Sequence, residues 1–295
     1  MSARKGSTGR SGTARKGGKA AGKRKGGNSR KRVKGSSSVS GSMPGWVHWS
    51  GTIILLALVA AGAFFVLLKP YFYRWKPCFG EKEYSVCLPS GYLYYGIDVS
   101  HHQGRIDWQR VAASSAVSEY PLKFVIMKAT EGGTFKDPNL EENLTAAREA
   151  GFVCGVYHFF NPASSPSVQA AFFRDNVQLT AGDLVPVVDV ETEVKDVRKL
   201  QKDLSEFLGA VESFFGVKPV IYTSVKFRRR YLNAPAFSQY CFWVAHYYVD
   251  EPATDLDWSF WQFSDRARID GIYGLTDIDV FRGTETAFDS LRLKK

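Results

Sequence analysis

Short apolar runs alternate with longer segments of mixed polarity from residue 94 onward. The runs are rich in Val, Ile and aromatic residues, which is typical of buried β-strands. The segments between the first runs have helical length, and Gly151, Gly182 and Gly216 stand where a glycine is expected just past a helix end. The pattern predicts strands at 94–99, 124–130, 153–160, 185–191, 220–223, 242–246, 260–263 and 277–281, and helices at 107–116, 138–150, 166–181, 196–215 and 226–232.

This alternation of strands and helices predicts parallel βαβ units, and eight strands predict closure into a barrel. The last three connections are too short for full helices. We therefore expect an irregular, TIM-like α/β barrel with eight strands and about five helices. An open, doubly wound sheet is the alternative, but no glycine-rich phosphate loop follows the first strand.

A longer apolar run precedes the barrel. Residues 49–68 are 20 consecutive uncharged residues, and a helix of that length reaches about 30 Å, the thickness of the hydrocarbon core of a bilayer. Trp46 and Tyr71 lie near its ends, as aromatic residues do at membrane interfaces. We expect an uncleaved transmembrane signal-anchor helix at 46–68 that contacts the lipid bilayer. A cleaved signal peptide is the competing interpretation, but no small-x-small cleavage site follows the long leader.

The net charge of +10 is concentrated at the N-terminus. Residues 1–34 hold 13 of the 39 basic residues and no acidic residue, which leaves 26 basic and 29 acidic residues for the rest. Residues 1–45 are expected to form a disordered cytoplasmic tail. The protein would then be single-pass, with a juxtamembrane linker at 69–92 and the barrel at 93–295 in the periplasm or outside the cell. A tail with this role needs no nucleic-acid partner, and no obligate protein partner is indicated.

The chain has four cysteines. Cys78 and Cys87 lie in the predicted exported linker and are a candidate disulfide. Cys154 and Cys241 lie in apolar strands, where they are expected to be buried thiols. No Cys/His spacing resembles a zinc site, so the sequence indicates neither a metal nor an organic cofactor.

Two carboxylates stand at the end of the apolar run at 184–191. Asp189 and Glu191 are two residues apart and therefore project from the same face of a strand. A helix cap or a salt bridge at the strand end would be a structural explanation. The chemical explanation would be that the two acids form a general acid–base pair in an active site, because coupled carboxyl groups hold each other's pKa values apart.

Other polar and aromatic residues stand at the ends of the remaining strands. The C-terminal ends of barrel strands meet at one mouth, where active sites lie, and the first and last strands become neighbours on closure. An acidic cup with aromatic walls suits a sugar polymer, because carboxylates serve as acid, base and ion stabiliser. The candidate catalytic residues are Asp98, Asp189, Glu191 and Asp277, and the candidate substrate-binding residues are Lys128, Tyr157, Tyr222, Trp243, Trp261 and Gln262.

These residues belong to an ordered set of motifs within residues 93–290. The motifs are Gly96-Ile-Asp-Val-Ser100, Gln103-Gly-Arg-Ile-Asp-Trp108, Lys128-Ala-Thr-Glu-Gly132, Gly155-Val-Tyr-His-Phe159, Val188-Asp-Val-Glu191, Ile221-Tyr-Thr223, Trp243-Val-Ala-His-Tyr247, Trp261-Gln-Phe263 and Asp277-Ile-Asp-Val-Phe281. The set resembles glycoside hydrolase family 25, which contains the Chalaropsis-type lysozymes, or N-acetylmuramidases. The resemblance implies a (β/α)5β3 barrel that hydrolyses the β-1,4 bond between N-acetylmuramic acid and N-acetylglucosamine in the glycan strands of peptidoglycan.

The resemblance also implies roles for the acids. Glu191 would protonate the leaving oxygen and then activate water. Asp189 would orient the 2-acetamido group of the substrate as that group attacks the anomeric carbon, which gives retention without a protein nucleophile. Asp98 and Asp277 would stabilise a positive transition state. Direct attack by an aspartate is the alternative mechanism.

Two motifs depart from the family pattern. Phe263 stands where the family frequently has a tyrosine, which removes one hydroxyl group from the rim. The other is the last motif. It reads Asp277-Ile-Asp279 where the family commonly has Asp-x-Asn, so Asp279 either adds a charge or points away from Asp277. Two other functions are compatible with the site. A non-catalytic glycan-binding tether would keep the aromatic residues but be free to lose carboxylates, and a hydrolase of chitin-like glycans would share both.

Overall fold

The computed structural model describes residues 45–68 and 82–294. Residues 1–44 of the predicted tail, residues 69–81 of the predicted linker, and Cys78 lie outside the described residues. Cys87 is disulfide-bonded, whereas Cys154 and Cys241 are free thiols. The pairing of Cys87 with Cys78 stays a prediction.

The N-terminal helix α1 spans Gly45–Ala63 and continues as a π-helix at Phe64–Leu68. Within the described parts of the chain, no helix is long and apolar enough to cross a membrane. The transmembrane helix expected at 46–68 is therefore not found.

The described part of the linker forms a short hairpin. Its strands are β1 (Lys82–Glu83) and β2 (Val86–Cys87), which pair antiparallel. Two-residue strands carry no readable alternation of polar and apolar positions, so the sequence pattern did not predict them.

Eight strands then close into a barrel. They are β3 (Tyr94–Val99), β4 (Leu122–Glu131), β6 (Val153–Phe159), β7 (Val187–Asp189), β8 (Val220–Ser224), β9 (Phe242–Ala245), β10 (Phe260–Ala267) and β11 (Thr276–Phe281), and the short strand β5 (Phe135–Lys136) pairs with the end of β4. Strand β3 pairs with both β4 and β11 and so closes the ring.

Helices cover the outside of the first five strands of the barrel. After β3, β4, β6, β7 and β8 come α2 (Trp108–Ala116), α3 (Leu140–Glu149), α4 (Pro166–Asn176), α5 (Val197–Phe215) and α6 (Val225–Tyr231), and α7 (Glu285–Ser290) follows β11. The prediction of an eight-stranded α/β barrel is confirmed. The helix predicted at 166–181 ends earlier, because Asp183 accepts hydrogen bonds from Thr180 and Arg148 and holds the chain before β7 in a turn.

The last strand runs against the others. The barrel strands β3, β4, β6, β7, β8, β9 and β10 are parallel around the ring, whereas β11 is antiparallel to both β10 and β3. The connection from β10 to β11 is too short for a crossover helix, so the chain returns as a hairpin. Strand β11 therefore begins at the mouth where its neighbours end.

Side-chain alternation produces two buried clusters, one between the sheet and the helices and one inside the barrel. Phe124 belongs to the inner cluster, and its ring occupies the space beside Gly96 on β3. A Cβ atom on Gly96 would lie 2.4 Å from that ring, which no real contact allows. Glycine at position 96 is thus required for the Phe124 ring to pack inside the barrel.

Candidate active site

A cavity of about 220 Å³ opens at the mouth of the barrel. Eight of the ten residues predicted for the site line it, and Tyr247 joins them. The lining residues are Asp98, Tyr157, Asp189, Glu191, Tyr222, Trp243, Tyr247, Gln262 and Asp277. The acids predicted from distant parts of the sequence are therefore brought together, while their individual roles stay predictions.

Strand ends position the acids. Asp98 on β3 and Asp277 on β11 are direct partners in the antiparallel register. Asp277 lies near the start of its strand, and the reversed direction of β11 places that start at the mouth. Asp189 ends β7, and Glu191 follows it by two residues on the same side of the chain.

A hydrogen-bond network fixes the floor of the cavity. The Gln262 amide Nε2 donates to Asp98 Oδ2 at 2.5 Å. Its carbonyl Oε1 accepts from the hydroxyl groups of Tyr222 at 2.7 Å and Tyr247 at 2.5 Å. The amide thus orients one carboxyl group and two tyrosines at once.

Replacing Gln262 with leucine is expected to destabilise the fold. The change removes an acceptor from Tyr222 and Tyr247 and a donor from Asp98, and each buried polar group left unpaired costs about 1–3 kcal/mol. Urea unfolding measures the loss, with Gln178→Leu at an exposed position as the control. An unchanged unfolding midpoint for Gln262→Leu would show that the network does not hold the site together.

The aspartic acids of the cavity have pKa values above the ordinary value. Burial is the main cause that raises the pKa of Asp98 and of Asp189 well above the ordinary value, and neighbouring carboxylates add to it. Burial, with smaller contributions from Asp265 and Glu191, raises the pKa of Asp277 to about 7. The site therefore holds protons that isolated carboxyl groups would have lost at neutral pH.

Glu191 differs from the other acids in its exposure. Its side chain reaches solvent at the mouth. The cavity wall nevertheless removes water from part of the carboxyl group and raises its pKa, an effect that the charge of Lys128 partly offsets. An accessible carboxyl group with a raised pKa is suited to act as a general acid.

Asp189 has an oxygen without a donor. Its Oδ1 atom is buried and receives no hydrogen bond within the described parts of the chain. Buried polar atoms are nearly always paired in folded proteins, so an unpaired one in a cavity wall indicates a partner that arrives with a ligand. The donor that fits a carboxyl oxygen is an N–H or O–H group.

Two predicted residues are not brought to the cavity. Trp261 is buried on the outer side of the sheet, where its indole Nε1 donates to the His246 carbonyl at 2.9 Å. It neighbours Gln262 on β10, and adjacent strand residues face opposite sides, so only one of the two faces the interior. Lys128 lies beside the cavity with its Nζ 2.6 Å from Glu131 Oε2.

Two residues of the site were missed or left undecided by the sequence. Tyr247 continues the alternation of Trp243 and Ala245 beyond the end of β9, which would have placed it on the inner face. Asp279 alternates with Asp277 in the same way and lies inside the barrel, fully buried. Among residues 45–68 and 82–294, no group of three or more His, Cys, Asp or Glu side chains could hold a metal ion.

Comparison with known proteins agrees with this geometry. Residues 97–272 match the family described as glycosyl hydrolases family 25. YegX of Escherichia coli strain K12, an uncharacterized protein, is 43% identical over 216 residues, 72% of this chain and 78% of YegX. Lysozyme M1 of Streptomyces globisporus is 32% identical over 205 residues, 64% of this chain and 68% of that one. The crystal structure of the bacterial lysozyme from Streptomyces coelicolor superposes with a TM-score of 0.61 at 30% identity and covers 68% of this chain and 96% of that chain. The chain belongs to glycosyl hydrolases family 25, as its motifs predicted.

Proposed function

We propose that this protein is a muramidase that cleaves the β-1,4 bond between N-acetylmuramic acid and N-acetylglucosamine in peptidoglycan. The relatives named lysozyme support the substrate class. The observation that supports the chemistry is that one cavity contains both the accessible Glu191, whose pKa is raised, and the unpaired oxygen of Asp189.

The geometry supports different roles for Glu191 and Asp189. Glu191 gives its proton to the leaving oxygen and later takes one from water. The unpaired Asp189 Oδ1 accepts the N–H of the substrate's 2-acetamido group and turns the carbonyl of that group toward the anomeric carbon. This would make the reaction retaining, with an intermediate formed by the substrate itself rather than by a protein nucleophile.

Asp98 and Asp277 would stabilise the positive charge that develops on the sugar ring. Fixed carboxylates in a site with little water act strongly on such charge, because they do not need to reorient as it forms. Asp277 changes its charge near pH 7, so the electrostatic support would strengthen as that group ionises.

The products of digestion test the proposal. Purified peptidoglycan is incubated with the full-length protein, and the fragments are reduced and analysed by mass spectrometry. New reducing ends on N-acetylmuramic acid are expected. New reducing ends on N-acetylglucosamine would contradict the bond assignment. Binding to sacculi without release of fragments would indicate a glycan-binding tether, and faster cleavage of chitooligosaccharides than of peptidoglycan would indicate a chitin-like substrate.

We also propose that residues 46–68 tether the barrel to the membrane, with the N-terminal tail in the cytoplasm and the barrel on the side of the cell wall. This rests on the sequence alone: a basic N-terminal segment precedes an uncharged apolar one. A reporter enzyme that is active only outside the cytoplasm, fused to the C-terminus, is expected to be active and to sediment with membranes. Recovery of the fusion in the cytoplasm would contradict the topology.

A further inference from the structure

Asp279 is a fully buried carboxyl group beneath the catalytic cavity, and the reaction outlined above does not use it. It lies on β11, two residues from Asp277. Its register partners are Gly96 on β3 and Gln262 on β10. It does not line the cavity itself, so a substrate would not touch it.

The two oxygens of Asp279 have different surroundings. Oδ1 accepts a hydrogen bond from the indole Nε1 of Trp243 on β9 at 2.8 Å. Oδ2 is buried and receives no hydrogen bond from any donor in the described parts of the chain. An ionised carboxylate would leave that second oxygen as an unpaired buried charge, which is among the most costly arrangements in a protein interior.

The charged groups that act on Asp279 are also acids. They are Asp98 on β3 and Asp277 on β11 itself, while Gln262 on β10 and Trp243 on β9 contribute neutral polar groups. Burial and both carboxylates raise the pKa of Asp279 well above its ordinary value. A hydrogen bond between the two carboxyl groups lowers the pKa of Asp98 and raises that of Asp279.

A hydrogen bond between two carboxyl groups requires a proton on one of them. Asp279 is the better donor, because its Oδ2 receives no hydrogen bond in the described parts of the chain, whereas Asp98 accepts one from Gln262 that favours its ionised form. We propose that Asp279 is a positioning residue: a protonated carboxyl group that accepts from Trp243, donates to Asp98, and leaves Asp98 as the ionised member when the pair shares one proton. Its effect on turnover rests on the proposed muramidase function, whereas its protonation does not.

Two substitutions of Asp279 that are similar in size have different expected effects. In Asp279→Asn the amide oxygen still accepts from Trp243 and the amide N–H still donates to Asp98, so both bonds persist without a titratable proton. In Asp279→Leu both bonds are lost, and Asp98 loses the donor that favours its ionised form. Asparagine should therefore replace Asp279 in function, and leucine should not.

The pH dependence of stability gives a test that needs no activity. A carboxyl group whose pKa is raised on folding contributes stability that is complete below its unfolded pKa of about 3.9 and is lost as the pH rises toward the folded value. Asp279→Asn removes this loss. Its melting temperature, measured on the full-length protein, is expected to match that of the wild type near pH 4 and to exceed it increasingly toward pH 8.

Infrared spectroscopy and turnover complete the experiment. The wild-type protein at pH 6 is expected to show the C=O stretch of a buried protonated carboxyl group that is absent from Asp279→Asn. On peptidoglycan, Asp279→Asn should keep the wild-type turnover within about threefold, and Asp279→Leu should lose about 100-fold, the usual effect of removing one positioned donor.

The outcomes distinguish this inference from the proposed function. A difference in melting temperature between Asp279→Asn and the wild type that does not change with pH, or an unchanged infrared band, would overturn the assignment of the proton. Equal losses of turnover in the asparagine and leucine variants would overturn the positioning role. If the wild type cleaves no peptidoglycan at all, the muramidase proposal fails, while the stability and infrared measurements still decide the state of Asp279.

Discussion

Glu191→Gln is expected to lower the turnover of peptidoglycan by about 10²- to 10⁴-fold, the range for loss of a general acid. The amide has nearly the same shape as the carboxyl group but no proton to give to the leaving oxygen. Since partial burial raises the pKa of Glu191 above its ordinary 4.5, the wild-type activity should decline with increasing pH only above that value. Rates of muropeptide release across a pH series measure both effects.

Glu193→Gln is the matched control for this substitution. Glu193 lies two residues further on and is exposed, with loose ion pairs to Lys226 and Arg230. Exposed pairs of this kind contribute little to stability, so the variant should keep wild-type turnover and melting temperature. Equal turnover in Glu191→Gln and Glu193→Gln would remove Glu191 from the reaction.

Asp189→Asn is expected to lower turnover and raise stability together. The loss of activity should be about 10²- to 10³-fold, because the substrate loses a fixed carboxyl oxygen that accepts its 2-acetamido N–H. The gain in stability should be on the order of 1 kcal/mol at neutral pH, because the variant no longer holds a buried carboxyl group whose Oδ1 lacks a donor. Thermal unfolding and muropeptide release, measured on the same preparation, test the two effects.

The sign of the stability change follows from the raised pKa of Asp189. Below the unfolded pKa of about 3.9, Asp189 is protonated in both the folded and the unfolded wild type, so its protonation does not affect stability. As the pH rises from there toward the pKa of Asp189 in the folded protein, the wild type loses stability. The advantage of the asparagine variant should thus be absent near pH 4 and grow toward neutral pH. Asp196→Asn is the control, because Asp196 caps α5 and asparagine caps helices equally well. Lower stability of Asp189→Asn at pH 7 would contradict the account.

The barrel was predictable because its strands are buried on both faces and therefore read as uniform apolar runs. The runs at 94–99 and 242–246 agree with β3 and β9 to within one residue. The direction of β11 was not predictable, because the same alternation of residues fits a parallel or an antiparallel strand. For the segment at 46–68, length and absence of charge predicted a membrane-spanning helix, and none is found among the described residues.

In the site, the acids could be predicted because a charged residue at the end of a buried strand usually has a structural or chemical role. Asp98, Asp189 and Asp277 all follow this rule. Trp261 was misplaced because its neighbour Gln262 was assigned to the same site, although strand geometry allows only one of two adjacent residues to face inward. Which acids keep their protons could not be read from the sequence, because that depends on distances across the barrel, such as the hydrogen bond from Gln262 to Asp98.

The central claim is that Glu191 supplies the proton to the leaving group while Asp189 positions the substrate. An aryl glycoside of an N-acetylmuramic acid-containing disaccharide tests it most directly, because an aryl leaving group departs without protonation. In the first turnover, Glu191→Gln should release the aryl alcohol at a rate within about tenfold of the wild type, although it fails on peptidoglycan, and Asp189→Asn should be slow on both. If Glu191→Gln is as slow on the aryl glycoside as on peptidoglycan, Glu191 is not the acid that protonates the leaving oxygen.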